Sequence, residues 1–95
     1  MQLELSRRAL ADLDDIRDFS VERFGLVRAI AYLDAIEQAF RHVLSFPEVG
    51  PVFPSADEQT RSLAAGEHRI FYVHDAEKIL VLRVLHKRMD VKRRM

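Results

Sequence analysis

Ninety-five residues can close one hydrophobic core but rarely two, so the chain is read as a single domain over residues 1–95. A mixture of 48% apolar and 32% charged residues with three glycines and three prolines excludes a disordered, collagen-like or repetitive chain; without cysteine there are no disulfide staples or thiolate chemistry, and a reducing, cytoplasmic setting is expected. The formal charge is zero, yet residues 1–48 hold six bases against nine acids, residues 49–95 nine against six, and residues 83–95 six against one.

The first residues carry charges where a secretory leader needs an apolar stretch, and no segment approaches the roughly 18 uninterrupted apolar residues of a membrane span. Neither a signal peptide nor a membrane partner is expected. Gln2 to Leu5 alternates polar and apolar residues and predicts a short strand. Ser6 stands where a hydroxyl can accept from the free amides of a helix, which Ala9, Leu13, Ile16, Ser20 and Phe24 extend to about Phe24, with Leu10 and Phe19 flanking. Asp12, Asp14, Asp15, Asp18 and Glu22 fall largely outside that stripe and read as a solvated face. Gly25 supplies the stop.

A second helix over Leu26 to Ser45 carries Ala29, Leu33, Ile36, Phe40 and Val43 or Leu44 on one stripe. Tyr32, Ala35, Ala39 and Phe46 widen that stripe, so this helix is expected to touch both its partner helix and a sheet, and the short link makes the pair an antiparallel hairpin. Pro47-Glu48-Val49-Gly50-Pro51-Val52-Phe53-Pro54 cannot continue the helix, and a loop to about Gln59 follows. Three β-type runs end the chain, at 60–64, His68 to His74 and Lys78 to His86, the last two apolar enough to be central strands. The fold class is α+β in the order β-α-α-β-β-β. No phosphate-binding glycine loop or nucleophile elbow occurs, which sets those enzyme classes aside.

If residues 75–78 make a tight hairpin that pairs His74 with Ile79, Arg69 stands opposite Val84. One sheet face then carries Arg69, Phe71 and Val73 beside Leu80, Leu82 and Val84, with His86 just beyond Arg69. The other, with His68, Ile70, Tyr72 and His74 beside Ile79, Val81, Arg83 and Leu85, is mixed and expected to be the more exposed; the pattern leaves open which face the helices cover. Arg69 and His86 form the best site candidate, because a guanidinium holds a phosphate or carboxylate and an imidazole exchanges a proton near neutral pH. The plainer alternative is an arginine paired with a helix acid and a solvated histidine. His68 and His74 lie about 20 Å apart on one strand, and His42 has no ligand companion, so no metal site and no cofactor are expected. Phe19, Phe24, Tyr32 and Phe53 read as core aromatics, or as a partner surface wherever they are exposed.

Four stretches resemble the ParE/RelE toxin superfamily of type II toxin-antitoxin systems, on its ParE side. They are Leu5-Ser6-Arg7-Arg8-Ala9-Leu10-Ala11-Asp12-Leu13-Asp14-Asp15-Ile16, the Phe46-Pro47-x-x-Gly50 break, Arg61-Ser62-Leu63-Ala64-Ala65-Gly66-Glu67-His68-Arg69-Ile70-Phe71-Tyr72, and Arg83-Val84-Leu85-His86-Lys87-Arg88-Met89-Asp90. The resemblance implies a helical hairpin on a mainly antiparallel sheet, and a ParD-like or similar antitoxin that neutralises the toxin by direct binding. Leu3, Leu5, Phe19, Phe24, Tyr32 and Leu63, on the two short strands and the wide helix face, are the residues expected to meet it. ParE-like members poison DNA gyrase, whereas RelE-like members cut messenger RNA on the ribosome with a set of lysines, arginines, an acid or histidine and commonly a C-terminal tyrosine. Here only Arg69, His86 and, loosely, Glu48 match that set; nothing after His86 is aromatic, and residues 42–77 contain no lysine. The resemblance therefore favours a non-catalytic gyrase poison, with Arg61, Arg69, His86, Lys87, Arg88, Arg93 and Arg94 as target contacts and no sequence-specific nucleic-acid binding. The alternatives are a RelE-type endoribonuclease and a degenerate, non-toxic antitoxin-binding module.

Overall fold

The computed structural model describes residues 1–53, 59–89 and 91–94, with residues 91 and 92 as backbone only. Pro54 of the expected loop and Asp90 of the basic tail lie outside the described residues. The elements are β1 (Gln2–Leu5), α1 (Arg7–Phe24), α2 (Leu26–Ser45), β2 (Arg61–Ala65), β3 (His68–His74), β4 (Lys78–His86) and a short α3 (Val91–Arg94) that the sequence pattern does not announce. The four strands lie in the order β1-β4-β3-β2, with β1 parallel to β4 and the other pairs antiparallel.

Ser6 is the joint between sheet and hairpin. Its hydroxyl accepts from the Ala9 amide at 3.0 Å, donates to the Leu82 carbonyl at 2.7 Å, and its own amide donates to the Val81 carbonyl at 2.9 Å. One residue thus starts α1 and pins that start to β4. Gly25 closes α1 at φ +85, a conformation open to glycine at little cost, and α2 begins at the next residue.

Ala9 and Ile16 of α1 and Ala29, Ile36 and Val43 of α2 recur at two-turn spacing, and all are buried. With Ile70, Tyr72, Ile79, Val81 and Val84 they make the core, to which Leu3, Leu5, Leu13, Leu33 and Leu63 add partly buried side chains. The helices therefore cover the sheet face expected to be the more exposed one. The physical reason is a β-bulge. His74, Val73 and Tyr72 pair with Ile79, Leu80 and Val81 as expected, but Phe71 then pairs with Arg83, leaving Leu82 as an extra residue. Beyond that slip every β4 side chain changes face: Val84 joins Ile70, Leu85 faces Arg69, and His86 faces His68. Arg69 and His86, expected together, stand on opposite faces.

β1 and β2 are the outer strands, with β3 and β4 central as their apolar character leads one to expect. The outer edge of β2 is already used at its start, where Ser62 donates to the Pro51 carbonyl at 3.0 Å and Phe53 donates to the Thr60 carbonyl at 2.7 Å. Phe53 also packs edge-on against Phe71 at 5.2 Å on the face away from the helices.

Candidate functional site

Where the hairpin end meets the ends of β3 and β4, aromatic and imidazole rings line a cleft of about 340 Å³ with Phe19, Phe24, Arg28, Tyr32, His68 and His86 on its walls. A second hollow of about 300 Å³, lined in part by Asp15, Met89 and the same Phe19, His68 and His86, adjoins it. Phe19 flanks the buried stripe of α1 and Phe24 ends it at the helix terminus, and the two remain 59% and 54% exposed, so neither is a core aromatic. The Arg23 guanidinium lies 5.8 Å over the Phe19 ring.

Behind these rings the cleft wall is tied together by hydrogen bonds and ring contacts. The Tyr32 hydroxyl accepts from the Glu67 amide at 2.9 Å and lies 2.6 Å from His68 Nδ1, while His68 and His86 meet edge to face at 5.3 Å. Gly66, at φ +60, lets the β2–β3 turn reach Tyr32: a Cβ there would fall 2.8 Å from Tyr32 Cε1. Burial pushes the His68 imidazole below its usual value, and a positive charge on His86 pushes it the same way, while Glu67 and Asp12 oppose both. Burial likewise raises the Tyr32 hydroxyl. Lys87 closes the turn, its Nζ 2.7 Å from Glu67 Oε2 and its amide donating to the Glu67 carbonyl.

The basic end is built differently. Asp12 takes two hydrogen bonds from Arg83, each 2.8 Å, and a third from the Val84 amide at 2.9 Å. This bidentate pair is only 11–12% exposed, and Asp12 raises the Arg83 guanidinium above its usual value. Asp12 therefore corrects the reading of the α1 carboxylates as a solvated face. Its position, three residues after Ala9 and four before Ile16, is the signal that places it at the margin of the buried stripe. The Arg88 amide donates to His86 Nδ1 at 3.1 Å and the Met89 amide to the His86 carbonyl at 2.9 Å, so His86 shapes the turn that leads into the tail.

With that geometry in view, the comparisons with known proteins are specific. The family described as ParE toxin of type II toxin-antitoxin system, parDE, matches residues 3–91. Toxin ParE1 of Mycobacterium tuberculosis is 36% identical over 92 residues, spanning 96% of this chain and 94% of that protein. The chain belongs to the ParE toxin family. Toxin ParE1 of Caulobacter vibrioides is 33% identical to this ParE-family chain over 88 residues, or 93% of it and 91% of the relative. Among solved structures, the chromosomal ParDE system of P. aeruginosa superposes with a TM-score of 0.78 at 25% identity, covering 90% of this chain and 95% of that one. The toxin-antitoxin complex RelBE2 of Mycobacterium tuberculosis does so with 0.65 at 25% identity, covering 90% and 96%.

In this ParE-family fold the candidate residues lie in several separate places. Phe19, Phe24, Tyr32 and His86 share the cleft, whereas Leu3, Leu5 and Leu63 turn their side chains to the core. Lys87, Arg88, Arg93 and Arg94 are exposed near the C-terminus. Arg61 instead braces the Phe46-Pro47-x-x-Gly50 break, donating to the Gly50 carbonyl at 2.9 Å and the Glu48 carbonyl at 3.3 Å. Tyr72, a residue the sequence reading leaves in an exposed face, is buried there: its hydroxyl accepts from the Gly50 amide at 2.9 Å and donates to the Pro47 carbonyl at 2.8 Å. Gly50 has no room for a side chain, because a Cβ would lie 2.6 Å from the Ser62 carbonyl oxygen. Arg69 donates to Ser62 Oγ at 2.9 Å on the far face, with its Nε buried and unpaired among the described residues. Arg69, His86 and Glu48 thus occupy the far face, the cleft and the opposite end of the sheet.

Proposed function

We propose that this ParE-family toxin arrests growth in the cytoplasm by stabilising the DNA-cleavage complex of gyrase, contributes no catalysis of its own, and is neutralised by direct binding of a cognate ParD-like antitoxin. The observation that supports non-catalytic action most is the separation of Arg69, His86 and Glu48 by the bulge and by the length of the sheet. A ribonuclease acting through these side chains needs them around one phosphodiester, since proton transfer works only within hydrogen-bond reach. The exposed Lys87, Arg88, Arg93 and Arg94 give the toxin a cationic end for an acidic or phosphate-bearing target. For the antitoxin, support comes from the cleft beneath Phe19 and Phe24, whose exposed rings suit the apolar face of a helix laid into a groove. That the structural neighbours are a ParDE system and a RelBE2 toxin-antitoxin complex supports a toxin that works with such a partner.

Purified toxin titrated into a gyrase supercoiling reaction tests the proposal. Linear, protein-linked DNA is expected to accumulate after detergent and protease treatment, and the antitoxin is expected to reverse it when added first. Undiminished supercoiling at high micromolar toxin contradicts the target assignment.

A further inference from the structure

Six bases against one acid over residues 83–95 describe a segment that repels itself, and a free, solvated tail is the default for such a sequence. Among the described residues its end is instead held against α1 and β4. The Arg94 carbonyl accepts from Arg8 Nη2 at 2.7 Å and from Arg83 Nη1, so two guanidinium groups from α1 and β4 close on the last turn of α3. Cations suit terminal helix carbonyls, which carry partial negative charge and lack partners within the helix. Arg83 can serve because its other donors are fixed: Nε and Nη2 are spent on Asp12, which the Val84 amide also holds. The planar fork that grips a carboxylate on one side leaves Nη1 aimed at the carbonyl, a geometry no ammonium reproduces.

We propose that Arg83, locked by Asp12, is a positioning residue that together with Arg8 clasps the Arg94 carbonyl and so sets where the basic C-terminal segment stands. The functional half of this inference rests on the reading that the segment contacts gyrase. Docking brings Arg8, Arg83, Arg93 and Arg94 into one region against their mutual repulsion, so the docked state depends on the clasp, and its loss frees the tail without opening the core. The exposed Arg93 and Arg94 side chains take no part in the clasp, which uses only the backbone carbonyl.

The test compares Arg83→Lys, Arg8→Gln and the double variant Arg93→Ala/Arg94→Ala in the full chain, by hydrogen exchange over residues 87–95, gyrase inhibition and antitoxin affinity. Arg83→Lys keeps a cation beside Asp12 but loses the fork. Exchange in the tail is expected to quicken roughly tenfold in both clasp variants, the effect of losing a hydrogen bond to a charged group, with protection elsewhere kept. Gyrase inhibition should weaken in parallel while antitoxin affinity holds. The double variant should weaken inhibition with tail exchange unchanged, and Arg83→Lys in that background should weaken it no further. Wild-type tail exchange in both clasp variants overturns the clasp. A loss of inhibition by Arg83→Lys that persists in full in the double-variant background overturns the positioning role. Full inhibition by the double variant contradicts the tail as target contact, and the exchange result then decides the clasp alone.

Discussion

At the scale of single residues, the end of the cleft depends on a few atoms that each serve two neighbours. The Tyr32 hydroxyl satisfies the Glu67 amide and meets His68, and the turn approaches it only because residue 66 is glycine. Gly66→Ala adds a Cβ in a left-handed conformation and drives it into the Tyr32 ring, so a loss of at least about 1–3 kcal/mol is expected in urea unfolding. His68 makes the same region pH-sensitive. Its folded imidazole titrates below the usual 6.5, chiefly because burial disfavours the charged ring. As pH falls, the unfolded chain takes up this proton first. Stability that is complete above pH 6.5 is therefore lost as pH drops from 6.5 toward the lower folded value, and His68 removes no more below it. Urea midpoints measured at neutral pH and near pH 5 should diverge less in His68→Gln than in the natural chain; equal divergence would remove His68 as the cause.

At the scale of elements, both helices, β1, β3 and β4 are legible in the sequence, because their periodicities run between Gly25, Pro47 and Gly66 without interruption. The bulge is not. Leu82 looks like any other apolar residue of β4, yet it turns Val84 and His86 toward the helices and separates His86 from Arg69. The two sheet faces are hard to rank from sequence for a second reason: Arg83, which makes one of them look polar, is half of a buried pair with Asp12 on another element. Such long-range partners leave no local pattern. Tyr72 is a third instance, since its hydroxyl is polar in sequence but satisfied by the Pro47 carbonyl and Gly50 amide. Tyr72→Phe strips that buried clamp from residues 47–50 and is expected to cost about 1–3 kcal/mol by denaturant unfolding. Asp12→Ala leaves Arg83 Nε and Nη2 and the Val84 amide without their acceptor, so a larger loss of about 3 kcal/mol or more is expected in the same measurement.

At the scale of the whole molecule, two surfaces with different chemistry lie on one small fold: an apolar cleft at the hairpin end and a cationic C-terminal end. The apolar surface continues past the cleft through Leu26, Val27 and Ile30, all more than half exposed, so the aromatic rings stand within a broader uncovered patch. Because Phe19 and Phe24 contribute little to the core, replacing both with alanine should leave thermal stability nearly unchanged. Antitoxin affinity by titration calorimetry should nevertheless fall by about a hundredfold or more, as for two aromatic anchors worth roughly 2 kcal/mol each. Unchanged affinity would move the antitoxin to the strand edges.

Binding without turnover separates this reading from that of a ribosome-dependent nuclease, and primer extension on ribosome-bound message with substoichiometric toxin decides between them most directly. No new cleavage ends are expected, with either the natural chain or His86→Ala. Ends that appear in excess of the toxin added, and vanish with His86→Ala, would contradict the account.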